Sequence, residues 1–250
     1  MVVRRLPAPA LRRAITAYHG FHSDEPPTRR LEGPGADVVL ILSFGQEWLI
    51  DDECRGSFVG GLRLNRVATE HDGGLHGLQV SLAPWAAHML LRVPLHELAG
   101  TSAPLDDLLP GDLPARLADE STWETRFVLL DRELNRLLAK APPPDEGVVT
   151  AWEWLRATDG RVRIGTLTQE LGWSRKRLAA GFREQIGLTP KAAARLLRFE
   201  RARSLAGTMS WGELAFACGF ADQPHLIGEF RSFTGRTPET FLQDETATAA

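Results

Sequence analysis

The sequence predicts an α+β protein: an N-terminal mixed α/β body followed by an all-α region built from two copies of a helix-turn-helix. Three observations carry that prediction. The first hundred or so residues contain β-type apolar runs separated by glycine turns. A proline-rich break, APPPDEG at 141–147, divides the chain. Beyond the break, a segment of the last third repeats once. The expected divisions are a body over 1–120, a helical connector with its linker over 121–147, the tandem unit over 148–243 and a disordered tail over 244–250.

In the body, ADVVLILSF at 36–44 is nearly continuous in apolar residues, as a strand covered on both faces must be. GLQVSLAP at 77–84 alternates. Gly60-Gly61 and Gly73-Gly74 mark turns between further short strands. RAITAYHGFH at 13–22 and PWAAHMLLRV at 84–93 are left open by their pattern, as helical or mixed.

The connector, 121–140, reads as a helix capped by Ser121 or Thr122, with Glu124 placed for a capping box. Trp123, Phe127, Leu130, Leu134 and Leu137 form one stripe with the 3.5-residue period of a helix–helix seam. So short a run favours docking on the body over a dimer seam. Three consecutive prolines, 142–144, cannot continue the helix.

The repeat pairs Leu167, Gly172 and Trp173 with Leu214, Gly219 and Phe220 at an offset of 47. Leu178, Phe182, Arg183, Gly187, Thr189 and Pro190 pair with Leu226, Phe230, Arg231, Gly235, Thr237 and Pro238 at an offset of 48. Each copy reads as a short helix (164–171 or 211–218) ended by a glycine that can turn left-handed, then an aromatic packed between helices. A second helix follows, capped by Ser174 or Asp222. It buries Leu178 and Phe182, or Leu226 and Phe230, leaving the opposite face of its N-terminal end free for contacts. Residues 191–207 form a helix by propensity and would hold the two units at fixed separation.

Composition places the chain among soluble globular proteins, with 43% hydrophobic and 24% charged residues. The net charge of −3 is unevenly spread: residues 161–243 hold 13 Lys and Arg against 7 Asp and Glu, and the remainder 16 against 25. A basic region on an acidic body suggests a nucleic-acid partner for the smaller part. Two distant cysteines, Cys54 and Cys218, fit a reducing compartment. The first residues lack the apolar core of a secretory signal, and no run approaches the roughly 18 apolar residues of a membrane span. A cytoplasmic location with no membrane partner is expected.

The segment from about 160 to 243, and above all A-CGFADQPHLIGEFRSFTGRTPETF at 217–241, resembles the tandem helix-turn-helix domain of the AraC/XylS family of bacterial transcription regulators. More loosely, residues 58–109 resemble the sensor-like domain that accompanies such units in some members. The resemblance implies a homeodomain-like C-terminal fold and double-stranded DNA as partner. It also implies contact with the transcription machinery, a small-molecule effector at the N-terminal domain and a homodimer as further partners, with no cofactor. Phosphate contacts are expected from Arg175, Lys176, Arg177, Arg183, Lys191 and Arg231, aided by helix-start amides beyond Ser174 and Asp222. Base edges would be read by Arg175 and Lys176 in the first unit, and by Gln223 and His225 in the second. The local alternatives are a solvated helix face for the basic residues, capping for Gln223 and a bond beside Pro224 for His225.

The chain departs from the family at Ala179, Ala180 and Gly228, where longer side chains are usual. Readout is then confined to the first turn, the backbone lies closer to DNA, or specificity leans on DNA shape. Those positions also favour a rival, an interaction adaptor with weak DNA binding. The histidines, spaced His19-x-x-His22 and His71-x4-His76 with His88 and His96, form no Cys/His quartet. Asp51-Asp52-Glu53 reads as an acidic turn, and two cysteines are too few for an alkyl-acceptor repair regulator. No phosphate loop, nucleophile elbow or H-E-x-x-H supports an enzyme fused to the DNA-binding part.

Overall fold

The computed structural model describes residues 1–24, 26–71 and 73–248. Among the described residues, ten strands make the body: β1 (Val2–Arg5), β2 (Ile15–Ser23), β3 (Thr28–Glu32), β4 (Val38–Ser43), β5 (Trp48–Ile50), β6 (Glu53–Arg55), β7 (Phe58–Gly60), β8 (Val67–His71), β9 (Leu75–Leu82) and β10 (Ser102–Pro104). They form two antiparallel sheets, ordered β1-β2-β9-β4-β7-β10 and β3-β8-β5-β6. The apolar run at 36–44 becomes β4, between β9 and β7, and both of its faces are covered. Val38, Leu40 and Leu42 belong to the main core, while Ile41 packs with Ile50 and Phe58 in a smaller core shared by strands of both sheets.

Residues 13–22, left open by their pattern, are chiefly strand β2. Pairing with β9 decides this, since eight residues of β2 find partners there, and an irregularity between Ile15 and Ala17 resets the alternation. Ile15 and Tyr18 therefore both enter the main core. The other open segment is helical: α1 (Pro84–Leu91) starts on a proline and is closed by Arg92 in the left-handed conformation, φ 58°. Two short helices, α2 (Leu105–Leu108) and α3 (Leu113–Asp119), lead to the connector α4 (Trp123–Ala139).

Thr122 caps α4, accepting from the Thr125 backbone N–H at 3.2 Å. Glu124 forms no capping box: it lies one position too early and accepts from Arg5 Nη1 at 3.1 Å. Phe127, Leu130 and Leu134 are buried, and Phe127 stacks on Tyr18 at 5.9 Å. The stripe is spent on the body, because β2 offers it a flat aromatic surface. At Gly20 a Cβ would overlap the Trp123 ring, so a glycine is needed for the helix to lie this close.

Seven helices follow: α5 (Glu146–Ala157), α6 (Ile164–Glu170), α7 (Arg175–Gln185), α8 (Pro190–Leu205), α9 (Trp211–Ala217), α10 (Gln223–Thr234) and α11 (Pro238–Thr248). Asp145 caps α5, so helix resumes before the expected linker ends. The tail expected to be disordered over 244–250 continues α11 to Thr248, and residues 249 and 250 lie outside the described residues.

The buried core runs unbroken from the sheet into these helices. Polar contacts join the same parts. The Ala36 N–H donates to Glu200 Oε1 at 2.8 Å. Asp37 accepts from Arg156 Nη1 and Thr16 Oγ1, each at 2.7 Å. Burial, with Asp37 nearby, raises the Glu200 carboxyl above its ordinary value although the Ala36 bond opposes this. No described helix is long and apolar enough to cross a membrane.

Candidate nucleic-acid interface

The two repeat copies fold alike down to individual hydrogen bonds. Gly172 and Gly219 are left-handed, φ 62° and 75°, and each donates to the residue three before it at 3.1 Å. The aromatic that follows donates its N–H to Thr168 or Ala215, in both cases at 2.9 Å. A Cβ in this conformation costs roughly 1–2 kcal/mol, which explains glycine at both turns. Ser174 Oγ then accepts from the Arg177 N–H at 3.2 Å, and Asp222 Oδ1 from the His225 N–H at 2.8 Å. Both caps satisfy amides that the first turn leaves unpaired and set the positive end of the helix dipole at the exposed entrance.

The faces of α7 and α10 sort by helical periodicity. Leu178 and Phe182, or Leu226 and Phe230, are fully buried. Diametrically opposite lie Lys176, Ala180 and Arg183 on α7, all exposed. The 48-residue offset places Pro224, Gly228 and Arg231 at the matching positions of α10, again exposed. A Cβ at Gly228 would meet nothing within 4 Å, so the second face is bare at its centre. Lys191 stands exposed in the first turn of α8, which Thr189 caps through the Ala192 N–H at 3.2 Å.

Two of the residues expected to contact DNA turn back onto their own turns. The Arg177 guanidinium lies 4.0 Å from the centre of the Trp173 ring. His225 meets Phe220 edge-on at 5.4 Å and accepts the Ala221 N–H on Nδ1 at 3.2 Å. These equivalent pairings leave Arg175, Lys176 and Gln223 as the outward polar side chains of the first turns, all exposed. A signal for this exists in the sequence, since each side chain follows its turn aromatic by about one helical turn.

The spacer α8 is fastened to the second unit. Phe199 packs on Phe230 at 5.0 Å and on Phe233 at 4.7 Å. Arg195 Nε reaches both carboxylate oxygens of Glu229, at 3.0 and 3.2 Å. Arg198 Nη1 donates to Gly160 O at 3.1 Å. Helices α8 and α10 are therefore held as one unit. Sequence reading missed the Arg195–Glu229 pair, which no local spacing announces.

The remaining candidates are accounted for locally. His19 and His22 lie on a strand, so their spacing places them on opposite faces rather than on one. Among the described residues, no group of three or more His, Cys, Asp or Glu is placed to hold a metal ion. Asp51 pairs with Arg63 at 2.7 Å, and Glu53 pairs with Arg55. Cys54 is exposed and Cys218 buried.

Comparison with known proteins agrees with this geometry. A family model described as a helix-turn-helix domain matches residues 167–244. An uncharacterized helix-turn-helix-type transcriptional regulator of Bacillus subtilis (strain 168), YbfI, is 28% identical over 153 residues, covering 57% of this chain and 52% of YbfI. The chain thus spans about half the length of that relative. Among solved structures, ToxT of Vibrio cholerae strain SCE256 with unsaturated fatty acid bound is similar over 95% of this chain and 96% of ToxT, with 12% identity and a TM-score of 0.50. ToxT of Vibrio cholerae O395 bound to (E)-4-(8-methylnaphthalen-1-yl)but-3-enoic acid is similar over 90% and 98%, with 12% identity and a TM-score of 0.51. This likeness is one of fold, and it extends through the two-sheet body as well as the helices. Residues 167–244 of this chain thus match a helix-turn-helix domain.

Proposed function

We propose that the protein is a sequence-specific, DNA-binding transcription regulator that lays α7 and α10 in successive major-groove faces of one duplex. The observation that carries this reading is the pair of equivalent reader helices, each capped and exposed at its entrance, braced by α8. Arg175 and Lys176 read bases in one half-site and Gln223 in the other. Arg183, Lys191 and Arg231, with the amides beyond Ser174 and Asp222, contact phosphates. Arg177 and His225 serve mainly to shape the turns, given their contacts with Trp173 and Phe220. The protein acts in the cytoplasm with the transcription machinery, as a monomer carrying both readers or as a homodimer. A small molecule bound by the N-terminal body biases the readers, which requires different affinity for two states. The body's fold, shared with ToxT structures that hold organic acids, supports that last part.

Selection of bound sequences from a random duplex pool at stated salt tests the reading. A motif spanning about two helical turns is expected. Lys176→Ala should relax one half of it and Gln223→Ala the other. Featureless binding governed by salt alone would refute a specific regulator, and an unchanged motif would refute the assignment of those side chains.

A further inference from the structure

A cavity of about 230 Å³ opens between residues 10–14, α1 and α4. Leu11, Trp85, Met89 and Leu138 give it apolar walls, and Arg13 is the one charged residue lining it. A cavity of about 150 Å³ suffices for benzene. This one has room for a ring with a short arm, or a chain of similar bulk. The Arg13 guanidinium lies over the Trp85 ring, 5.6 Å from its centre. It is also one of the groups that tie the body to α5, beside the Asp37–Arg156 pair. Its Nε binds Glu153 Oε1 on α5 at 2.6 Å, its Nη2 binds Glu153 Oε2 at 3.2 Å, and Glu146 Oε2 stands 3.8 Å away. Leu138 and Ala139, in the opposite wall, are the last turn of α4 before the chain crosses to α5.

The geometry points to this cavity as the binding site for a small apolar organic acid whose carboxylate takes Arg13 from Glu153. This deepens the effector part of the proposed function and rests on it. The exchange is inexpensive because Arg13 and Glu153 are both well exposed, with side chains 56% and 43% accessible. It also has a direction. An acid on Arg13 removes a tie between body and α5 and places like charge beside Glu153 and Glu146, which face Arg13 from α5. Ligand and reader are thereby coupled, reciprocally, by about the worth of one exposed ion pair, roughly two- to five-fold in affinity.

The test titrates the full chain with 4-phenylbutanoate, its amide and 4-phenylbutylamine by calorimetry. Saturable binding of the acid about two- to five-fold tighter than of amide or amine is expected. Arg13→Gln should reduce the acid to the level of the amide. Ala139→Trp, at an exposed position on the cavity wall, should abolish binding of all three. Glu153→Gln, which frees Arg13, should tighten the acid about two- to five-fold, a gain that misfolding cannot imitate. Absence of saturable acid binding, equal affinity for acid and amide, preference for the amine, or binding that survives Ala139→Trp would each overturn the assignment. DNA affinity measured on the same protein separates the two failures. Motif-specific DNA binding without acid binding overturns the cavity alone, whereas featureless DNA binding overturns the regulator.

Discussion

Replacing Arg195 by methionine isolates a polar contact that fastens α10 to α8. In the native chain, Glu229 receives Arg195 Nε on both oxygens, and the guanidinium lies 5.4 Å from the centre of the Phe233 ring. The Glu229 side chain is 11% exposed, so without Arg195 a carboxylate is left nearly buried, with His225 Nε2 at 3.8 Å and the Arg198 guanidinium as its remaining charged neighbours. Removing one partner of a fully buried pair costs roughly 3–5 kcal/mol. Arg195 is itself 31% exposed, and water entering its place lowers the cost to about 2 kcal/mol. That is roughly a 30-fold change in the folded-to-unfolded ratio. Methionine keeps much of the packing on Phe233, so the loss reports the stranded charge. Urea unfolding followed by helical circular dichroism measures it. The double variant Arg195→Met, Glu229→Met should recover at least half of the loss, because it removes the stranded charge as well. A single-variant loss under about 0.5 kcal/mol, or a double variant as unstable as the sum of the singles, would refute the reasoning.

Glu200→Gln should stabilise the protein at neutral pH and flatten its pH dependence. Burial raises this carboxyl above its ordinary 4.5, so its stability contribution is full below that value and is lost as pH rises through the folded value. A glutamine Oε1 still accepts from Ala36, and unfolding curves from pH 4 to pH 8 (roughly the window concerned) should show the wild type losing more than the variant. Gly187→Ala should cost about 2 kcal/mol or more, since φ is +88° and the new Cβ would lie 2.8 Å from the Leu95 carbonyl oxygen across the junction with the body. Calorimetric melting checks it, and an unchanged midpoint would show that this junction yields. Native protein should expose one fast-reacting thiol, Cys54, because Cys218 is buried and desolvation raises its thiol. Two thiols reacting equally fast under native conditions would contradict the packing behind α9.

The tandem unit was legible because its signals are local. A glycine that must turn left-handed, an N-cap and an apolar pair one turn apart act within a dozen residues, and finding them twice removes coincidence. The N-terminal body was less legible. Residues 13–22 carry a pattern compatible with either helix or strand, and only the register with β9 selects strand. Likewise the stripe on α4 specified an apolar face but not its partner, and Tyr18 with the open surface at Gly20 supplied one.

Sequence by itself thus determined the class of the C-terminal domain, its two helix-turn-helix copies and their bare positions at Ala180 and Gly228, since these follow from periodicity and backbone chemistry. Tertiary structure decided what depends on residues far apart in the chain. It paired Arg195 with Glu229 and set Arg13 between a cavity and Glu153. Such pairings arise when separate elements come within a few ångströms, a relation that no spacing along the chain encodes.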